Sequence, residues 1–417
     1  MLNRFTQSIT KYRILLSNLG YLSIIKVFNL ILPLLIFPYL LRVLGKENYG
    51  LIIFAESIIT YFVIFINYGF NLSATKEISI HRNDKKKVNE IISSVYIIKG
   101  IFFIISFCFL FIVFYLSDIA ETNKMLFFLT MSLGVYEFLN PVWYFQGIEK
   151  LKPITIISLI SKLAFLIAIF LFVKNQEDFL LVPLINGLCL TTPLLVILSI
   201  LYKKENLSLK FPQKHILLKY FKESSLYFTS SISIQIVTNT NRFLIGSLIG
   251  LDKLAIYDIL EKFIRILSVP TSMLRQVLLP YVSLNKDKII VRKTTILMTT
   301  FGCLIVLLGF VFATEILELL FEDNTKEASF WLKLYLPIII LFNISNYYGV
   351  VSLNAFNLQK YFLKGTLYSV LTFCFGLLFI YLFNEFFEVK YLIINSLLIE
   401  IVFAFYVYKK IIKNKLL

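Results

Sequence analysis

Residues 91–116 read IISSVYIIKG IFFIISFCFL FIVFYL, an apolar run with a single charged side chain, Lys99. A helix rises about 1.5 Å per residue, so this run is long enough to cross a hydrocarbon layer of about 30 Å. Similar runs recur along the chain, in which 58% of the 417 residues are hydrophobic and 16% are charged. A water-soluble protein of this size cannot bury so much apolar surface, so the sequence predicts a membrane protein.

Twelve such runs can be read along the chain, and no alternating strand pattern indicates a barrel. The sequence therefore predicts an all-α integral membrane protein with about twelve transmembrane helices. The predicted spans are Leu19–Leu41, Tyr49–Asn71, Ile91–Leu116, Met125–Phe145, Pro153–Val173, Leu180–Tyr202, Ser225–Ile249, Ala255–Val282, Thr294–Ala313, Ser329–Ser352, Gly365–Phe383 and Tyr391–Tyr408.

The basic residues between the spans predict the orientation. The N-terminus, the C-terminal tail and the even-numbered loops carry 26 Lys and Arg, whereas the odd-numbered loops carry 7. Because basic loops stay on the cytoplasmic side, both termini are expected to be cytoplasmic. The same bias toward basic cytoplasmic loops accounts for the net charge of +16, so this charge does not indicate a nucleic-acid partner.

The longest cytoplasmic connection divides the chain into six spans plus six. Glu56 follows Gly45 by eleven residues, and Glu261 follows Gly250 by the same interval. This likeness indicates a diverged repeat of parallel topology, whose halves could rock about a central cavity. The predicted divisions are a first six-helix bundle at 1–202, a cytoplasmic linker at 203–224 and a second six-helix bundle at 225–417.

Charges inside the predicted spans require an explanation, because each costs about 2.5–3.5 kcal/mol at the bilayer centre. Lys99, Arg275 and Lys333 lie near enough to span ends for their side chains to reach an interface. Lys26 and Lys162 lie near the middle of their runs, which favours an aqueous cavity or a buried acidic partner.

Spans seven and eight each carry a polar stripe. Asp258, Glu261, Lys262 and Arg265 share one face of span eight, where acid precedes base at i, i+4 in two pairs. A salt-bridge ladder and a cavity lining are both compatible with this pattern. Further polar stripes and isolated acids within spans are Ser231, Gln235, Thr238, Asn239 and Arg242 in span seven, Glu56, Thr60 and Asn67 in span two, and Glu137 and Glu400 alone.

Three segments carry a resemblance to a known family. LRVLGKENYGL at 41–51 and NYGFNLSATKEI at 67–78 resemble the N-terminal signature of Wzx-type polysaccharide flippases, and PVWYFQGIEK at 141–150 resembles the exit of their fourth span. The resemblance implies the multidrug/oligosaccharidyl-lipid/polysaccharide exporter fold in the bacterial cytoplasmic (inner) membrane. The implied substrate is an undecaprenyl-pyrophosphate-linked oligosaccharide, an O-antigen or capsule unit. The implied partners are a polysaccharide polymerase and a chain-length regulator.

A flippase of this kind needs no catalytic residue, cofactor or metal, and the chain has no phosphate-loop motif for nucleotide hydrolysis. A pyrophosphate does need cations and polar groups. The predicted substrate-binding residues are Lys26, Lys162, Gln235, Asn239, Arg242, Lys262 and Arg265. The candidate ion-coupling acids are Glu56, Asp258 and Glu261.

Two alternatives remain open from the sequence. An exporter of small amphipathic compounds would share the fold, and its substrates would suit the same acids. A membrane-embedded glycosyltransferase or polymerase belongs to a different class and would need catalytic acids outside the membrane. The largest outer loop, 314–328, is only 15 residues long, and a solvated acidic loop equally explains its acids, Glu315, Glu318, Glu322, Asp323 and Glu327.

The charge asymmetry generates a topology test. A cysteine introduced at Asp178 should react with an impermeant thiol reagent applied to intact cells, because its loop is predicted to be external. A cysteine introduced at Lys86 should stay unlabelled until the cells are opened. The parent chain, with its four native cysteines, is the background control. Labelling at position 86 in intact cells would overturn the orientation.

Overall fold

The computed structural model describes residues 2–205, 211–318, 325–383 and 387–416, without the side chains of residues before Phe28 and of some later ones, which include Ser231 and Thr238 of the stripe predicted in span seven. Within these ranges every regular element is a helix and no strand occurs. The chain divides into two compact units, Met1–Ser247 and Leu248–Leu417. The all-α class predicted from hydropathy is therefore confirmed.

The first unit contains ten α-helices and one 3₁₀ helix among its described residues. In chain order they are α1 (Leu2–Asn67), α2 (Phe70–His81), α3 (Lys85–Leu116), α4 (Asp118–Thr122), α5 (Lys124–Thr130), α6 (Ser132–Leu139), α7 (Val142–Gly147), α8 (Lys152–Phe172), the 3₁₀ helix Gln176–Leu180, α9 (Leu181–Glu205) and α10 (Lys214–Leu244). Helix α1 packs against α3, α6, α8 and α10, and is thus the central helix of this unit.

A π-helical turn, Ile245–Ile249, leads into the second unit. The helices described there are α11 (Leu251–Leu267), α12 (Val269–Asn285), α13 (Lys288–Glu318), α14 (Thr325–Tyr335), α15 (Ile338–Ile344), the π-helix Ser345–Leu353, α16 (Gln359–Leu382) and α17 (Val389–Lys413). Helix α17 packs against α14, α15, α16 and the π-helix.

Nine helical segments of the described chain are long and apolar enough to cross a membrane. The predicted seventh and eighth spans fall on α10 and on α11 with α12, which are not among the nine. The predicted first span lies mostly where side chains are not described. The structure thus confirms a helical bundle with many candidate spans, and the total of twelve stays a prediction.

The outer surfaces of the long helices are apolar. On α3, the side chains of Ile104, Phe109 and Phe111 are exposed, whereas Ser94 and Lys99 are fully buried. Such an arrangement would aggregate in water, but it suits helices that face lipid. The exposed faces of α13 and α16 carry the same kind of side chain. The burial pattern therefore agrees with the membrane location.

Helix α1 joins the first two predicted spans through a kink at Gly45. This glycine has φ 77° and ψ 168°, a conformation that side chains rarely adopt. The helix resumes at once, so the short loop predicted between the spans is reduced to a single non-helical residue.

A second break separates α1 from α2 at Tyr68 and Gly69, which both have a left-handed backbone, with φ 45° and 79°. A Cβ atom at Gly69 would lie 2.7 Å from the backbone nitrogen of Phe228 and 2.9 Å from the carbonyl oxygen of Ser224. Both atoms belong to α10, so the missing side chain lets α10 pack directly on the turn.

Substitution at this turn should be costly. Gly69→Ala combines a left-handed backbone, worth about 1–2 kcal/mol for a residue with a Cβ, with a collision against the backbone of α10. We expect a lower midpoint of thermal unfolding in detergent and less monodisperse protein. Gly100→Ala is the matched control, because its Cβ would meet only the Phe138 ring at 3.5 Å within α3. Equal midpoints for the two variants would contradict the role given to Gly69.

Candidate functional site

Helix α10 packs on α1 in the first unit. The Asn239 side-chain amide donates to Gln235 Oε1 at 2.9 Å along the same helix, and Asn239 is buried. Across the interface, the Tyr61 and Thr240 hydroxyls lie 2.9 Å apart, and the rings of Phe54 and Phe243 stack at 6.0 Å. Of the predicted polar residues, Gln235 and Asn239 thus bond to each other, whereas Asn67 of span two bonds to Glu137.

Glu56 on α1 and Arg242 on α10 also belong to the first unit. Both side chains are half-buried and engaged in interactions.

The charged face of α11 forms two ion pairs within the second unit. Lys262 Nζ lies 2.6 Å from Asp258 Oδ2, and the Arg265 guanidinium donates to Glu261 Oε1. The predicted salt-bridge ladder is present. Beside it, the rings of Tyr257 and Tyr335 stack at 6.2 Å, which joins α11 to α14.

Burial differs sharply between the acids and the bases of this ladder. The Asp258 and Glu261 side chains are 0% and 8% exposed, whereas those of Lys262 and Arg265 are 24% and 50% exposed. The acids therefore anchor the bases from inside the unit while the cationic groups remain accessible. A guanidinium has five N–H donors, so Arg265 keeps donors for a ligand beyond those used on Glu261.

The remaining predicted cations lie elsewhere. Lys162 is half-buried on α8, with no acidic side chain at ion-pair distance in the described part of the chain. Lys26 falls in α1, but its side chain lies outside the described residues. Two acids of the outer loop, Glu322 and Asp323, also lie outside them, and Glu327 pairs with Lys253 at 2.5 Å.

The expectation that Lys99 reaches an interface is wrong. Its side chain is 0% exposed, and its ammonium lies 2.9 Å from Glu137 Oε1 and 2.7 Å from the Glu137 carbonyl oxygen. The Asn67 amide donates to the same carboxylate oxygen at 2.6 Å. Glu137 is therefore not an isolated acid.

Proline explains why the Glu137 carbonyl is available. In a continuous helix that oxygen would accept from the residue four positions later, but this residue is Pro141, which has no N–H. Helix α6 ends at Leu139, and Lys99 supplies the missing donor. Pro141 is the sequence signal for a free carbonyl at Glu137, although it does not identify Lys99 as the donor.

The second unit contains a further polar network that the sequence did not reveal. Glu400 Oε2 accepts from the Ser345 hydroxyl at 2.9 Å, so this acid meets the start of the π-helix. The Arg275 guanidinium donates to Asn346, which makes Arg275 part of the packing instead of a side chain reaching an interface. The Asn343 amide donates to the Met298 carbonyl at 2.6 Å.

The Lys99 pair gives a stability prediction. Lys99→Met would leave a buried carboxylate and a buried carbonyl without their cation, a loss of about 3–5 kcal/mol for a broken buried pair. Arg82→Met is the matched control, because the Arg82–Glu149 pair at 3.4 Å is half-exposed and worth at most about 1 kcal/mol. We expect the thermal unfolding midpoint to fall much further for Lys99→Met.

Adding Glu137→Gln to Lys99→Met should recover part of the lost stability, because the unpaired charge is removed. Equal midpoints for Lys99→Met and Arg82→Met would show that the buried pair does not hold the first unit together.

Comparison with known proteins supplies the family. The family model described as polysaccharide biosynthesis protein matches residues 15–286. A protein of Escherichia coli (strain K12) described as an O-antigen transporter is 26% identical over 356 residues, covering 83% of this chain and 85% of its own. One of Shigella flexneri with the same description is 26% identical over 351 residues, covering 77% and 81%.

Solved structures show the same fold. The lipid II flippase MurJ in an inward closed conformation superposes with a TM-score of 0.72 at 16% identity, covering 93% of this chain and 87% of MurJ. An inward-facing multidrug resistance MATE family transporter of the MOP superfamily has a TM-score of 0.72 at 14% identity, covering 95% and 99%.

These relatives and fold neighbours are described as transporters and flippases, not as catalysts, which agrees with the prediction that the chain is not an enzyme. The family model spans most of the sequence, and nine helical segments of the described chain are long and apolar enough to cross a membrane. The chain belongs to the polysaccharide biosynthesis protein family and is a multi-pass protein of the bacterial inner membrane.

Proposed function

We propose that this protein is a flippase that moves an undecaprenyl-pyrophosphate-linked oligosaccharide from the cytoplasmic to the outer leaflet by alternating access. The family, the O-antigen transporter descriptions of its relatives and the flippase fold support the proposal. The single observation that carries it is the α11 ladder, in which two accessible cations are held on buried acids.

The ladder suits a diphosphate group for an electrostatic reason. Guanidinium binds phosphate oxygens in a bidentate fork, and ammonium acts as a compact point charge. Asp258 holds Lys262 and Glu261 holds Arg265, each from one side. Little side-chain entropy therefore remains to be lost when a ligand binds. Without a ligand, the two acids and two bases of the ladder have a net charge of zero. This neutrality lowers the free-energy cost of placing the ladder inside a membrane.

Sugars require neutral hydrogen-bonding groups, and α10 offers them. Gln235 and Asn239 present amides next to the Tyr61–Thr240 hydroxyl pair. We propose that these residues contact the oligosaccharide, together with Lys162 and Lys26, which add positive charge to the path. The polyprenyl tail would remain in lipid, where no polar contact is needed.

Ion coupling is proposed at the acids. Protonation of Glu261 would remove its charge and release the Arg265 guanidinium, so the positive charge seen by a pyrophosphate would change by one unit. Glu56 and Asp258 are the further candidates. A proton gradient could in this way bias binding and release without nucleotide hydrolysis.

The finer architecture belongs to the same proposal. It has twelve spans, cytoplasmic termini and a central cavity, with bundles at 1–202 and 225–417 joined by the linker 203–224. A polysaccharide polymerase and a chain-length regulator would receive the exported unit.

A reconstituted system tests the proposal. Proteoliposomes carrying the purified chain and a fluorescent undecaprenyl-pyrophosphate-linked oligosaccharide report translocation as the fraction that an impermeant reagent can reach. Arg265→Gln and Lys262→Gln should each lower the initial rate about tenfold, because a charge-assisted hydrogen bond is worth about 1.5–3 kcal/mol. Lys253→Gln, on the same helix, is the control for loss of one positive charge, since Lys253 pairs with Glu327.

Glu261→Gln should abolish any acceleration by an imposed pH gradient while translocation without a gradient continues. Wild-type protein that leaves the oligosaccharide in place but exports a lipophilic cation would favour the alternative exporter. Unchanged rates in both Arg265→Gln and Lys262→Gln would remove the ladder from the binding path.

A further inference from the structure

One end of the first unit gathers basic side chains from three separate parts of the sequence. These parts are the turn between α2 and α3, the turn between α7 and α8, and the start of α10. The Arg82–Glu149 ion pair at 3.4 Å joins the first two. The Ser73 and Ser224 hydroxyls, 2.7 Å apart, join α2 to α10. We name this surface the basic end, and its members are Lys85, Lys86, Lys150, Lys152, Lys214 and Lys222.

The lysines of the basic end are all exposed, and none lies at ion-pair distance from an acidic side chain in the described part of the chain. The neighbouring acids are engaged elsewhere. Glu90 pairs with Lys87 at 2.9 Å, and Asp84 caps α3 by accepting from two backbone N–H groups. The positive charge of the basic end is therefore not neutralised by the protein.

The position of these lysines along their helices corresponds to the level of lipid headgroups. Lys85 and Lys86 precede the predicted span at Ile91 by five to six residues, or about 8–9 Å of helix. Lys152 directly precedes the predicted span that begins at Pro153. The headgroup layer extends about 5–8 Å beyond the hydrocarbon on each side, so these lysines lie within this layer or at its outer edge.

The first turns of α10 add an apolar component to the same surface. Lys214, Leu218 and Lys222 fall within an arc of about 80° and are exposed, whereas the Phe221 ring beside them stacks on Tyr68 at 4.9 Å. On the other side of the helix, the buried Tyr220 hydroxyl donates to Glu90 Oε1 at 3.4 Å and fixes the helix against α3. Bases and an apolar side chain on one exposed face at the end of a spanning helix suit the headgroup boundary, where bases meet phosphates and apolar groups meet acyl chains.

We propose that the basic end binds anionic phospholipid headgroups, with the lysines on the phosphates and Leu218 at the acyl boundary. An acidic protein or a free anion would use the lysines but would leave Leu218 in water. This lipid is a bound component of the membrane and not the translocated substrate, so the inference is independent of the proposed function. It also does not depend on which leaflet the surface faces.

Thermal unfolding of the full-length protein in detergent tests the inference. Added phosphatidylglycerol should raise the unfolding midpoint more than phosphatidylcholine with the same acyl chains, because a ligand that binds only the folded state stabilises it. Added salt should reduce the difference. A variant with Lys86, Lys150, Lys152 and Lys214 changed to Gln should lose most of it, and Leu218→Ser should lose a smaller part.

The matched control changes to Gln four lysines that already pair with an acid, namely Lys87, Lys124, Lys219 and Lys253. It removes the same charge and should retain the phosphatidylglycerol effect. Equal loss in both variants would reduce the effect to overall charge and overturn the inference. A midpoint shift with inorganic phosphate as large as that with phosphatidylglycerol would overturn it as well, since the lipid would then not be the ligand.

Discussion

In a hydrocarbon environment every backbone N–H and C=O must find a partner within the protein, and this constraint governs where the helices of this chain can break. In an uninterrupted helix the backbone N–H and C=O groups bond to one another. Each interruption leaves some of these groups without a helical partner, and side chains must then bond to them. At Pro141 the carbonyl of Glu137 loses its helical donor, and the Lys99 ammonium takes that place. At Gly69 the backbone turns left-handed, and Asn67 Oδ1 accepts from the Gly69 N–H at 3.2 Å. The two breaks are connected, because the Asn67 side-chain amide also donates to the Glu137 carboxylate.

The same constraint explains how the chain carries charge through its membrane segments. Both deeply buried acids of α11 have a base one turn later, and the buried Lys99 has Glu137. Ion pairs within one helix and ion pairs between two helices differ in whether the cation stays exposed. The α11 pairs form within a single turn and leave the cations exposed, whereas the Lys99 pair holds α3 and α6 together and leaves nothing accessible. Charges of the first kind are suited to contact a ligand, and those of the second kind are suited to hold a scaffold.

Hydropathy was sufficient to predict a helical membrane protein, because a run of about 20 apolar residues has few other stable outcomes. The α11 ladder was predictable for a similar reason, since i, i+4 spacing places Asp258 by Lys262 and Glu261 by Arg265 within one element. The Lys99 pair was not, because Glu137 lies 38 residues away on another helix. The π-helix Ser345–Leu353 is also not predicted by any sequence pattern. Helices α13, α15 and α17 pack around it, and its hydrogen-bond register depends on this packing.

The turn at Gly69 has a consequence for the order in which the protein is made. Its packing partners on α10 lie far along the chain, with Ser73 and Ser224 separated by 151 residues. At a synthesis rate of about 5–20 residues per second, roughly 8–30 seconds pass between the two sides of this contact. During that interval α1, α2 and α3 have left the ribosome while the surface at Gly69 is still open. The first unit therefore cannot close as its early helices emerge, and its completion waits for α10.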